Sequence, residues 1–248
     1  SSDLDNDDSS ETSVSVNGSH LLLRAGGEDT WNGADEYASL YRTVEGDFEA
    51  IAKIDALENT HSWTKAGIMV KNSMHGTGSS QGYVFLVMTP GNGFSFQRDT
   101  NHDGFLDAST TNSVSNPPDW IKLQKVDKTF TASYSDDGNS WIVVGSFTPD
   151  TALGLQDAAL SVTSHDSSQS AEAAFEKFEL GQPFHTADYF NRLDNDYTRG
   201  TEQIGNWFIY DDQLRHTDNI YPGTRDEGLG PHVSFEDIPY DSYNISTR

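Results

Sequence analysis

Short apolar runs of period two, separated by clusters of Gly, Asn, Asp and Ser, recur from Val14 to Leu180. No segment sustains the 3.6-residue repeat that an amphipathic helix needs. A chain patterned in this way buries its apolar residues by pairing strands, so the expected class is all-β. The runs expected as strands are Glu49 to Asp55, Lys65 to Lys71, Gly82 to Thr89, Gly93 to Arg98, Trp120 to Val126, Thr129 to Ser135, Trp141 to Phe147, Ala158 to Ser164 and Ala171 to Leu180. Pro90-Gly91-Asn92-Gly93 and Asp136-Asp137-Gly138-Asn139 supply the positive-φ residues that tight hairpins require. Roughly nine strands at this spacing predict an antiparallel two-sheet sandwich of the jelly-roll kind. In the run Gly82 to Thr89, Val84, Leu86 and Met88 share one face and Tyr83, Phe85 and Val87 the other. Both sets are apolar, which predicts a central strand covered on both sides.

Charge narrows the partners. With 39 acidic against 15 basic residues the net charge is −24, which repels phosphate backbones and anionic bilayers, so neither nucleic acid nor membrane insertion is expected. The acidity fits clustered carboxylates that ligate calcium, or a surface adapted to a saline medium. Both place the protein outside the cytosol, and an extracellular or cell-surface location is expected. There is no cysteine, which excludes disulfides and thiolate metal sites. No run approaches the roughly 18 apolar residues of a membrane span, and Ser1 opens an acidic segment without a signal pattern, so the chain reads as mature or excised. The sequons at Asn17 and Asn244 are compatible with secretion.

Residues 1–13 are largely acidic or small and read as a linker; their carboxylates Asp3, Asp5, Asp7 and Asp8 lack the glycine that would fold them about a cation. The texture changes again at Gly181-Gln182-Pro183, which predicts one sandwich over 14–182 and a second, incomplete β module over 183–248.

Several strings resemble a known family. Thr30-Trp31-Asn32-Gly33-Ala34-Asp35-Glu36, Gly46-Asp47-Phe48-Glu49-Ala50 and His61-Ser62-Trp63-Thr64-Lys65-Ala66-Gly67-Ile68-Met69-Val70-Lys71 are followed by Val87-Met88-Thr89-Pro90-Gly91-Asn92-Gly93, Phe130-Thr131-Ala132-Ser133-Tyr134-Ser135-Asp136-Asp137-Gly138-Asn139-Ser140-Trp141 and Val162-Thr163-Ser164-His165. Together they resemble a family of secreted concanavalin A-like domains of unknown function, some described as regulation-of-enolase-like. The resemblance implies a lectin-like appendage with no agreed catalytic residues. Asn206 to Thr217 and Gly230-Pro231-His232-Val233 are similar to the start of a thrombospondin C-terminal-type sandwich, whose remainder is absent.

One local motif carries chemistry. In Asp99-Thr100-Asn101-His102-Asp103-Gly104-Phe105-Leu106-Asp107, side-chain oxygens of Asp99, Asn101, Asp103 and Asp107 alternate along a turn that Gly104 allows, and the Phe105 carbonyl adds another. Calcium takes six to eight oxygens at roughly 2.3–2.6 Å, which such a loop can supply. The loop resembles thrombospondin calcium repeats and the first half of a helix-loop-helix calcium hand. It departs from the hand at Thr110, where a bidentate glutamate is expected, so a structural calcium ion is predicted.

No catalytic constellation stands out. The Glu-x-Asp-x-Glu string of sandwich glycosidases is missing; Glu172 and Glu176 read as solvated strand residues. His20, His61, His75, His102 and His165 are scattered without metal-ligand spacing. Sugar binding needs an exposed aromatic platform beside hydrogen-bonding groups. Among the tryptophans, Trp31 beside Asn32 and Asp35 is the candidate. The expected function is therefore non-enzymatic binding of carbohydrate or extracellular matrix, with calcium as a stabiliser. Two alternatives stay open: a structural subunit that self-assembles by completing its second module with a neighbouring chain, and an accessory domain of a secreted glycoside hydrolase.

Overall fold

The computed structural model describes residues 12–74, 80–114 and 119–181, and the strand backbones of 206–210, 213–217, 232–233 and 244–247. Among the described residues there is no α-helix, and none therefore that is long and apolar enough to cross a membrane. The acidic run 1–11, His75, the Asn244 side chain and the side chains of the proposed second module lie outside the described residues.

Seven strands form the first sheet: β1 (Ser13–Asn17), β2 (His20–Ala25), β4 (Phe48–Leu57), β9 (Trp120–Val126), β10 (Thr129–Ser135), β11 (Ile142–Phe147) and β13 (Ala171–Gly181), in the order β1-β2-β13-β4-β9-β10-β11. The second sheet contains β3 (Ala38–Glu45), β5 (Lys65–Lys71), β6 (Val84–Thr89), β7 (Gly93–Arg98), β8 (Ala108–Asn112), β12 (Leu155–Thr163) and β17 (Asn244–Thr247), in the order β17-β3-β12-β5-β6-β7-β8. A three-stranded sheet joins β14 (Asn206–Tyr210), β15 (Gln213–Thr217) and β16 (His232–Val233). Every pairing is antiparallel. The order 13-4-9 in one sheet and 3-12-5 in the other joins strands distant in sequence, which makes this a jelly-roll sandwich.

The period-two pattern becomes the core directly. In β4, Phe48, Ala50, Ala52 and Ile54 point inward and are fully buried. They meet Leu21, Leu23, Phe175 and Leu180 of the same sheet and Ile68, Leu86 and Phe96 of the other. The two apolar sets of β6 part as the pattern predicts: Val84, Leu86 and Met88 enter this inter-sheet core, while Phe85 and Val87 join a second cluster on the outer face with Tyr37, Tyr41, Met69 and Tyr83. Strand contact at the centre is close. A Cβ on Gly67 of β5 would stand 1.9 Å from the Leu86 carbonyl oxygen, so only glycine fits there.

Lys65–Lys71, Gly93–Arg98, Trp120–Val126 and Thr129–Ser135 are strands with the expected ends. Four strands carried too weak a pattern to be singled out: β1, β2, β3 and β8. The last, Ala-Ser-Thr-Thr-Asn, has no large apolar residue and sits at a sheet edge, where pairing alone defines the strand. The tail strand β17 runs along the edge of β3, Asn244 opposite Tyr41 and Thr247 opposite Ala38.

Candidate functional site

The acidic loop 99–107 links β7 to β8 at one end of the second sheet. Asp99 is 1% exposed and accepts from the backbone N–H groups of His102 (2.7 Å) and Gly104 (2.9 Å). Asn101 accepts from the Asp103 N–H, Asp103 from the Phe105 N–H, and Asp107 from both the N–H and the hydroxyl of Thr100. His102 (φ 65°) and Gly104 (φ 89°) make the left-handed turns that wind the loop around Asp99. Burial raises the Asp99 carboxyl above its ordinary value; the two amide hydrogen bonds oppose this, while the charges of Asp103 and Asp107 add to it. Asp99, Asp103 and Asp107 therefore crowd one small loop, though no trio of their oxygens lies within 4.8 Å.

The Trp31 loop lies against this one. The Asn32 N–H donates to the Leu106 carbonyl at 2.9 Å, and Trp31 packs half-buried on the outer aromatic cluster that includes Leu106. Asn32 (φ 47°) and Gly33 (φ 96°) turn the chain at an exposed tip. The two regions that the sequence singled out separately, around Trp31 and around Asp99, thus form one rim. Asp35 has a different place: its oxygens accept from the Lys71 ammonium at 2.6 Å and from the Tyr83 hydroxyl at 3.2 Å. That ammonium is wholly buried, 3.8 Å from the Tyr83 ring centre and 4.9 Å from that of Tyr37. Asp35 therefore anchors a buried cation under the rim, a role that the polar context of Trp31 did not suggest.

Three other tryptophans lie elsewhere. Trp120 and Trp141 are half-buried on the outer face of the first sheet, where Lys122 sits 4.4 Å from the Trp141 ring centre and Lys177 5.4 Å from that of Trp120. Trp63 is half-buried in the loop before β5. Asn17 is exposed at the end of β1, beside the hairpin turn into β2. The scattered histidines are less scattered in space: the rings of His61 and His165 lie tilted by 34° with their centres 4.2 Å apart, and His165 Nδ1 lies 3.2 Å from Asp29. His20 meets Asp55 on the first sheet. Sequence spacing could not reveal either encounter, because each joins different strands or loops.

No family model matches the chain, and no curated protein matches it. Among solved structures, it is similar to a functionally unknown protein from Saccharomyces cerevisiae, at 15% identity and a TM-score of 0.55, over 69% of this chain and 92% of that one. It is also similar to the GH43 protein BlXynB from Bacillus licheniformis (18% identity, TM-score 0.49, 65% of this chain, 32% of that chain) and to the exoplasmic/lumenal domain of VIP36 in a form bound to calcium and Man3GlcNAc (14%, 0.40, 72% and 88%). The match spans about a third of the GH43 chain. The class of the protein is thereby defined by its fold alone, an all-β, two-sheet antiparallel sandwich.

Proposed function

We propose that this chain is a non-catalytic, lectin-like module of the extracellular space or cell surface, which binds carbohydrate at the rim built by Trp31–Gly33 and the 99–107 loop and is stabilised there by calcium. The observation that carries the reading is the 2.9 Å hydrogen bond from Asn32 to Leu106. It fastens an aromatic ring and an exposed amide side chain to a loop rich in carboxylates. A sugar presents an apolar C–H face for such a ring and hydroxyls for the polar groups beside it.

The residues fit a calcium ion in their chemistry. Asp99, Asn101, Asp103 and Asp107 offer only hard oxygen donors, the Phe105 carbonyl adds one more, and among the described residues no ion pair offsets the three carboxylates. A bound ion would bring the loop oxygens together and fix the Leu106 carbonyl that holds Asn32.

The test is calorimetric titration of the intact chain with a panel of neutral oligosaccharides, with calcium and after chelation, on the parent, Trp31→Ala and Asp103→Ala proteins. Binding that needs calcium and is lost in both variants is expected. Binding unaffected by Trp31→Ala, or no binding to any member of the panel at millimolar sugar, would overturn the proposal.

A further inference from the structure

On the outer face of the first sheet, on different elements from both loops of the rim, three strands bring together groups suited to a different ion. His20 opens β2, Asp55 lies in β4 and Glu176 in β13; one donor atom of each lies within 4.8 Å of the others. Backbone irregularities position them. Between Ala174, opposite Ala56, and Lys177, opposite Lys53, the ladder pairs Phe175 with Ile54 and skips both Asp55 and Glu176. Bulged residues of this kind re-aim side chains out of the regular alternation. The β2–β13 register, with Phe175 opposite Leu21, continues to set Glu176 beside His20.

We infer that His20, Asp55 and Glu176 bind a divalent transition-metal ion, with zinc the best match. Zinc holds imidazole nitrogen and carboxylate oxygen at about 2.0–2.2 Å in a tetrahedron, so neighbouring ligand atoms stand about 3.3–3.6 Å apart. His20 Nε2 and Asp55 Oδ2 are 3.3 Å apart. The nitrogen is sealed from solvent and makes no hydrogen bond, even to that oxygen. Its position is thus that of a ligand beside another ligand. Calcium, which takes six to eight oxygens, is a poor match to an imidazole and two carboxylates.

Access and competition are also defined. The side chains of Asp55 and Glu176 are 48% and 40% exposed, so a fourth, solvent-derived ligand can reach the ion beside these carboxylates. Lys53 forms an ion pair with Glu176, and the metal has to displace that ammonium. Removing Lys53 should therefore tighten binding, which a purely structural acid cluster would not show.

The experiment is titration of the chelator-stripped, full chain with zinc chloride by calorimetry, with thermal unfolding followed in parallel. One zinc per chain is expected, with affinity in the micromolar range, a raised midpoint, at least tenfold weaker binding in His20→Ala and tighter binding in Lys53→Met. Binding should persist in Asp103→Ala and His61→Ala, which separates this site from the rim and from the other histidines. Circular dichroism of His20→Ala checks that it folds, and Asp55→Asn serves as the second variant should it not. No zinc uptake by the parent at 100-fold excess over protein, or uptake unchanged in the folded His20→Ala or Asp55→Asn protein, overturns the inference.

Discussion

Replacing Asp29 by Asn should destabilise the sandwich severely, and the structure sets the size of the effect. The Lys65 ammonium is 2% exposed and forms an ion pair with Asp29, itself 17% exposed; the Thr30 hydroxyl, at 3.3 Å, is the other group that receives it. Burial lowers the Lys65 pKa, while the charge and hydrogen bond of Asp29 oppose the fall. Burial likewise pushes Asp29 up, but the charge and hydrogen bond of Lys65, the Thr30 N–H and the His165 charge outweigh it and hold the carboxyl below its ordinary value. Removing the carboxylate charge strands a cation in the core, at a cost of about 3–5 kcal/mol. For a chain of this size that is roughly 6–20 °C in the unfolding midpoint. The deficit should depend on pH. Without Asp29 the folded-state pKa of Lys65 falls further below the unfolded value of about 10.4, so between the two values the unfolded chain binds more protons and stability rises with pH. Urea unfolding at pH 7 and pH 9.5 reads both terms: a large loss at pH 7 that shrinks at pH 9.5. The double variant Asp29→Asn with Lys65→Met should recover most of the loss, because it removes the stranded charge. An Asp29→Asn protein within about 1 kcal/mol of the parent at pH 7, or a double variant no better than the single, would refute the reasoning.

Two further outcomes follow from other parts of the sandwich. Gly67→Ala should leave little folded protein on expression, because its Cβ would overlap the Leu86 carbonyl at 1.9 Å in the middle of a two-sided sheet; a variant with parent-like solubility and midpoint would show that β5 and β6 do not pack as closely as described. Asp137 accepts from the Ser140 and Asn139 N–H groups and the Ser135 hydroxyl in the hairpin turn between β10 and β11, and these hydrogen bonds hold its carboxyl down at about 2. Its contribution is therefore present above the unfolded value and lost as pH falls through about 2, and a carboxyl-detected NMR titration that places it near the ordinary aspartate value would contradict the turn.

The strands of the core were legible in the sequence because side-chain alternation is a local property. Burial on one face needs an apolar residue at every second position, and β4, β5, β6, β7, β9 and β10 carry that signature whatever lies across from them. The hairpin turns were legible too, since Gly138 and Gly93 supply positive φ where the chain reverses. The weakly patterned edge strand β8 was not, for its place is set by hydrogen bonds to β7 and not by its own side chains.

The sites divide along the same line. The acidic loop is a contiguous string, so its donor set could be read from spacing alone, and so could the aromatic and polar context of Trp31. That the two share a rim, that Asp35 turns to Lys71, and that His20 meets Asp55 and Glu176 were decided only by the tertiary structure. Each of those contacts joins residues on different strands or loops, and sheet register, including the paired irregularities at Asp55 and Glu176, carries no signature in the local order of residues. Sequence by itself determined which residues could be buried and which loop could gather oxygens; the packing of two sheets decided which distant side chains became neighbours.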